Sequence, residues 1–162
     1  MQPPTVPAVV STPGRIPPGG RPHLLTMPSS PVAPRLARDF VRPVLRRTRL
    51  HPLLETAALL TSEAVTRSHL CTPGTADILL RVLTAPHGLH ISVHDAAAGP
   101  VRVPAAPRAD EDADLGLLLL TRLADHWGTT PFAGPPRSGS LWFELYAEGA
   151  GAGAPAPSAP RR

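Results

Sequence analysis

Residues 77–95 constrain the fold more than any other stretch. Asp77 to Thr84 reads as a strand, Ala85-Pro86-His87-Gly88 as a turn, and Leu89 to Asp95 as a second strand. The second strand alternates cleanly. Leu89, Ile91 and Val93 fall on one face and His90 and His94 on the other, because successive strand side chains point to opposite sides. Two such strands joined by a short turn predict an antiparallel hairpin with one apolar face. That face has to be covered by something else in the chain.

The cover is predicted to be helical. Between Pro52 and Leu70, Leu54, Ala57/Ala58, Thr61, Ala64/Val65 and Ser68 recur at the spacing of one helix face. His51-Pro52 marks the start of this helix and Thr72-Pro73-Gly74 its end. Upstream, Arg35 to Leu50 predicts another helix with a stripe of Leu36, Phe40, Val44 and Leu45. Arg35, Arg38, Arg42, Arg46 and Arg49 lie largely outside that stripe, and Pro43 predicts a kink or a shortened helix. A third helix is predicted from Leu115 to Trp127, entered by the acidic run Asp110-Glu111-Asp112 and stopped by Gly128. Its apolar face holds Leu117, Leu118, Leu120, Thr121, Leu123, Ala124 and Trp127. Leu141 to Tyr146 is the last strand.

The order helix, helix, strand, strand, helix, strand predicts an α+β fold. It is a two-layer α/β sandwich in which a mixed, mostly antiparallel sheet carries helices on one face. The flanks cannot contribute to its core. Residues 1–34 and 147–162 are rich in Pro, Gly and other small residues, and bury too little to offset the entropy of ordering. They are expected to be disordered arms around one domain at residues 35–146.

Several partner classes are disfavoured. All 16 basic residues are Arg, and the formal charge is +4, yet no basic stripe with interleaved aromatic residues is present. Nucleic acid is therefore not an expected partner. The single cysteine, Cys71, has no partner for an internal disulfide, which fits a reducing compartment. No run reaches the roughly 18 apolar residues of a membrane span, and no signal peptide is evident, so the expected location is the cytoplasm. The histidines show no spacing on one element that would make a metal site.

Glu63 and Arg67 stand four apart on the second helix and so point from the same side. That spacing alone describes a solvated surface pair as well as a site.

The order of short motifs adds a resemblance. Residues 37–41 (Ala-Arg-Asp-Phe-Val), 60–66 (Leu-Thr-Ser-Glu-Ala-Val-Thr), 93–95 (Val-His-Asp), 115–120 (Leu-Gly-Leu-Leu-Leu-Leu), 123–128 (Leu-Ala-Asp-His-Trp-Gly) and 141–145 (Leu-Trp-Phe-Glu-Leu) follow one another as in the histidine-kinase-like ATPase domain. Residues 35–146 resemble this Bergerat-fold family, and within it the anti-sigma-factor serine/threonine kinases of the RsbW type. The resemblance implies ATP as ligand and Glu63 as general base. It implies Asp95 as acceptor from the adenine amino group. It implies a lid over the phosphates from Ala96 to Asp114, and nucleotide contacts from Gly99, Asp114, Leu115, Gly116 and Leu117. It also implies a protein partner, either a sigma factor or an anti-sigma antagonist, and a homodimer.

The departures from the family pattern are chemical. Arg67 stands where the family has an Asn that holds Mg²⁺, and a guanidinium has no lone pair to offer a metal. Asp114 replaces the first glycine of the phosphate segment, and Gly99 alone remains of the glycines expected after Asp95. Two readings follow. In one, the chain is an ATP-binding serine kinase in which Arg67 meets phosphate directly. In the other, it is a partner-binding module that keeps the sandwich and has lost catalysis.

Overall fold

The computed structural model describes residues 21–71, 76–95, 111–131 and 139–148. Among them the chain runs β1 (Arg21–Pro28), α1 (Ala33–Arg46), a 3₁₀ turn (His51–Leu53), α2 (Leu54–Cys71), β2 (Asp77–Ala85), β3 (Gly88–Asp95), α3 (Glu111–Leu123), β4 (His126–Pro131) and β5 (Gly139–Tyr146). The strands form one sheet in the order β1-β2-β3-β5-β4. Every neighbouring pair is antiparallel. The fold is the predicted α+β two-layer sandwich, with a sheet that is antiparallel throughout rather than mixed.

The hairpin sits at the centre of this sheet. Ala85 pairs with Gly88, which leaves Pro86 and His87 as the two-residue turn. Gly88 is required by what crosses it. A Cβ there would lie 2.5 Å from the Leu145 carbonyl oxygen and 2.9 Å from the Tyr146 ring. The backbone of β5 can therefore approach only a glycine.

The helix-facing side of the sheet presents Ile78, Leu80, Val82, Leu89, Ile91, Val93, Phe143 and Leu145, all buried in one core with residues of α1, α2 and α3. From α2 it receives Leu54, Ala57, Leu60, Ala64 and Val65, and Thr61 and Ser68 of the predicted face are buried too. The helical period read in this segment is thus the one the core uses.

Four expectations are corrected. First, the segment expected to be disordered contains β1, whose eight residues pair with β2 from Arg21↔Thr84 to Pro28↔Asp77. Leu25 and Met27 turn into the core. Pro22 and Pro28 hid this strand from a pattern reading, yet an edge strand tolerates proline on its unpaired side. Residues 1–20 and 149–162 lie outside the described residues.

Second, the buried stripe of α1 is Ala33, Ala37, Val41 and Leu45, which keeps only Leu45 of the predicted row. Phe40 and Val44 are partly buried at its margin, and Leu36 is exposed. Small side chains let α1 lie close against α2, so volume was the wrong guide to the contact face. Third, α1 continues through Pro43 but stops at Arg46, short of the predicted Leu50, so the helix is shortened one turn after the proline and not broken at it. Pro43 is exposed and close to the last turn, where one missing hydrogen bond costs least.

Fourth, α3 ends at Leu123, and His126–Pro131 is strand β4. Trp127 does face the core, opposite Phe143, but from a strand. An apolar residue at this position satisfies both periods. The pairing with β5 decides between them. There Gly128 makes room for the Trp142 indole, which a Cβ would approach to 2.9 Å.

On β3 and β5 the other side of the sheet is mostly polar and also largely buried. His90 and Glu144 are cross-strand neighbours. His90 Nδ1 lies 3.0 Å from Glu144 Oε1, and the Tyr146 hydroxyl donates to Glu144 Oε2 at 2.5 Å. The Trp142 ring stacks on His90 with centroids 5.5 Å apart. Glu144 is fully buried in this arrangement.

Candidate functional site

The C-terminal half of α2 is the element that the predicted site residues share. Glu63 points toward α3. A Cβ on Gly116 would come to 3.0 Å from Glu63 Oε2, so the carboxylate packs against the bare backbone of α3. Any larger residue at position 116 has to displace it.

One turn on, Arg67 is half-buried, and among the described residues it forms no ion pair with Glu63. The next residue, Ser68, is buried and donates its hydroxyl to Asp95 Oδ1 at the end of β3. One helix turn thus connects α3 on one side with the strand end on the other.

The electrostatics of that strand end are set mainly by burial. Burial pushes the Asp95 carboxyl above its ordinary value, and the Ser68 hydrogen bond, which favours the charged form, opposes the rise. Next to it, His94 is lowered, first by burial and then by the positive charges of Arg81 and His90. On the near side of Glu63, Arg38 of α1 donates to Ser62 Oγ at 2.5 Å. Along this half of α2 stand, in order, a hydroxyl bound by a guanidinium, a carboxylate, a guanidinium and a hydroxyl bound to a carboxylate.

The remaining predicted positions fall differently. Gly99 and most of the expected lid lie outside the described residues. Asp114 belongs to the first turn of α3, Leu115 is exposed and Leu117 is partly buried against the core. The helix begins at Glu111, earlier than the Leu115 start predicted from sequence. Gly116 is therefore inside the helix, where its N–H belongs to the intrahelical ladder, and not at the open N-terminus where orphan donors meet anions. What meets Gly116 instead is the Glu63 carboxylate, the free end of a side chain that could give way to a Cβ by a few tenths of an ångström.

The donor set speaks against a resident Mg²⁺ at position 67. That ion takes oxygen ligands, and Arg67 has none to give. Asp95 Oδ2, by contrast, accepts from no side chain among the described residues, which fits an amino group, and the Arg67 guanidinium fits an anion.

The sequence pattern alone did not mark Ser68 or Glu144. Ser68 was legible only as part of the apolar face of α2. The signal was its hydroxyl on a face otherwise occupied by Leu, Ala and Val. Glu144 shares the polar phase of its strand with Trp142 and Tyr146, so the alternation could have placed it opposite His90 once the pairing was known. A separate open cavity of about 440 Å³ is lined by Thr48, Arg49, Leu50, Thr84, Ala85 and Pro86. It lies at the turn end of the hairpin, whereas Asp95 is at the opposite end of β3.

Comparison with protein-family models and with curated proteins finds no match for this chain. Among the described residues, no helix is long and apolar enough to cross a membrane.

Proposed function

We propose that this domain is an adenine-nucleotide-binding regulatory module, similar in design to the anti-sigma-factor kinases, whose phosphoryl transfer is weakened or lost. The observation that carries the reading is the convergence on α2: Glu63 against α3 at Gly116, and Ser68 on Asp95 at the strand end, with Arg67 between them. Gly116 of α3 and Asp95 of β3 each meet a side chain from the C-terminal half of α2.

In this reading the Asp95 carboxylate accepts from the base amino group. Arg67 pairs with phosphate oxygens as a fixed cation. Glu63 stands as base for a serine hydroxyl of the protein partner, a sigma factor or its antagonist, in the cytoplasm. The metal normally neutralises developing charge in phosphoryl transfer. Replacing its ligand by Arg67 favours binding over turnover.

A second reading, a partner-binding module that needs no nucleotide, draws support from α3. Leu115, Leu118 and Leu123 are exposed on that helix, and α3 is packed directly onto Glu63.

Calorimetric titration of the full chain with ATP, with and without Mg²⁺, separates the two. The first reading expects ATP binding that changes little on adding Mg²⁺. It also expects Arg67→Asn to make binding Mg²⁺-dependent by about tenfold or more. Absence of heat in both proteins would sink it in favour of the second reading.

A further inference from the structure

We propose that Ser68 is a positioning residue for base recognition: its hydroxyl ties down one oxygen of Asp95, so the other is presented in a fixed direction to the exocyclic group of a purine. The inference rests on the nucleotide reading above and names the residue that would set its base preference.

The geometry has three parts. Asp95 is the last residue of β3, where a carboxylate is otherwise able to turn about two side-chain bonds. Ser68 is 6% exposed and stands one turn after the core residues Ala64 and Val65 of α2, whose packing holds its hydroxyl in place. The hydroxyl proton is given to Asp95 Oδ1, and among the described residues no side chain donates to Oδ2.

The consequence is a single directed acceptor. An adenine presents an amino donor at its exocyclic position and is accepted. A guanine presents a carbonyl oxygen there, and two acceptors facing each other repel. Without the anchor, the carboxyl can rotate away from a guanine carbonyl. It can also take up a proton, because burial already favours its neutral form and the Ser68 bond is what opposes this. A protonated Asp95 donates, which suits guanine. Ser68 thus protects both the direction and the acceptor character of the group.

The test uses the full chain as wild type, Ser68→Ala, Asp95→Asn and the double variant, titrated with ATP and with GTP, with far-UV circular dichroism as a check on folding. The expected result is about a five- to tenfold loss of ATP affinity in Ser68→Ala, with a smaller ATP-over-GTP preference. In the Asp95→Asn background the same serine substitution is expected to change ATP affinity by less than about twofold, since its effect passes through Asp95. Ser68→Cys, near in size but a poor donor, is the second variant and is expected to behave as Ser68→Ala. If wild type binds ATP and the serine variants bind it equally well, or if their loss persists in Asp95→Asn, the role of Ser68 is overturned and the nucleotide reading stands. If wild type binds no ATP, both are overturned.

Discussion

On its helix side the sheet presents Leu89, Ile91 and Val93 from β3 and Phe143 and Leu145 from β5, with nothing polar among them. On the other side the same two strands present His90, Ser92 and His94, and Trp142, Glu144 and Tyr146. Both sides are largely buried, and Phe143 and Glu144, adjacent in sequence, are equally inaccessible. The two sides are held by different physics. The first is stabilised by area removed from water, which is non-directional and tolerant of small shifts. The second depends mainly on buried polar groups finding partners, because a buried group without one costs free energy, as Trp142 Nε1 illustrates by having none among the described residues. His90 and Tyr146 supply those partners to Glu144.

The apolar side is the more sensitive to loss of a single side chain. Phe143→Ala removes a fully buried ring from the centre of the core and is expected to cost about 3–5 kcal/mol in a urea or thermal unfolding measurement. A loss below about 1 kcal/mol would mean that the helix layer does not depend on this face as described.

The polar side is expected to be more selective. His90→Ala leaves the buried Glu144 with one donor fewer and is expected to cost about 2 kcal/mol. His90→Gln, which keeps a donor, is expected to cost clearly less in the same unfolding series. Equal losses for the two variants would show that His90 acts by volume, which would erase the distinction between the faces.

The smallest effect is in pH dependence. His94 is held below its ordinary value near 6.5, so the unfolded chain takes up a proton before the folded one does. Its contribution is intact above pH 6.5 and is lost as pH falls from there through the lowered folded value. Asp95 works in the opposite sense. Its folded value is raised above 3.8, so its contribution is present below 3.8 and is lost as pH rises through the folded value. His94→Gln is expected to flatten the decline of the melting temperature below pH 6.5, and Asp95→Asn to raise it slightly at neutral pH. A decline that persists unchanged in His94→Gln would assign the acid limb to other groups.

Much of this molecule is written in local periodicity. The two-residue alternation of residues 89–95 and the helical recurrence of Leu54, Ala57, Thr61, Ala64 and Ser68 each predict a buried face, and the core uses both. These patterns survive because neighbours in sequence impose them, whatever the rest of the chain does. They also placed Glu63 and Arg67 on one side of α2 and Asp95 at a strand end.

Pairing between distant segments decided the rest. β1 exists because β2 offers it an edge, and no pattern within Arg21–Pro28 announces it. Residues 126–128 became strand instead of helix because β5 pairs with them and its Trp142 needs the space at Gly128. The contacts that give the candidate site its meaning, Ser68 with Asp95 and Glu63 with Gly116, join residues far apart in the chain. A sequence specifies which side chains are on a face. Only the packed layers specify which faces meet, because that choice is made by burying area and satisfying hydrogen bonds over the whole domain at once.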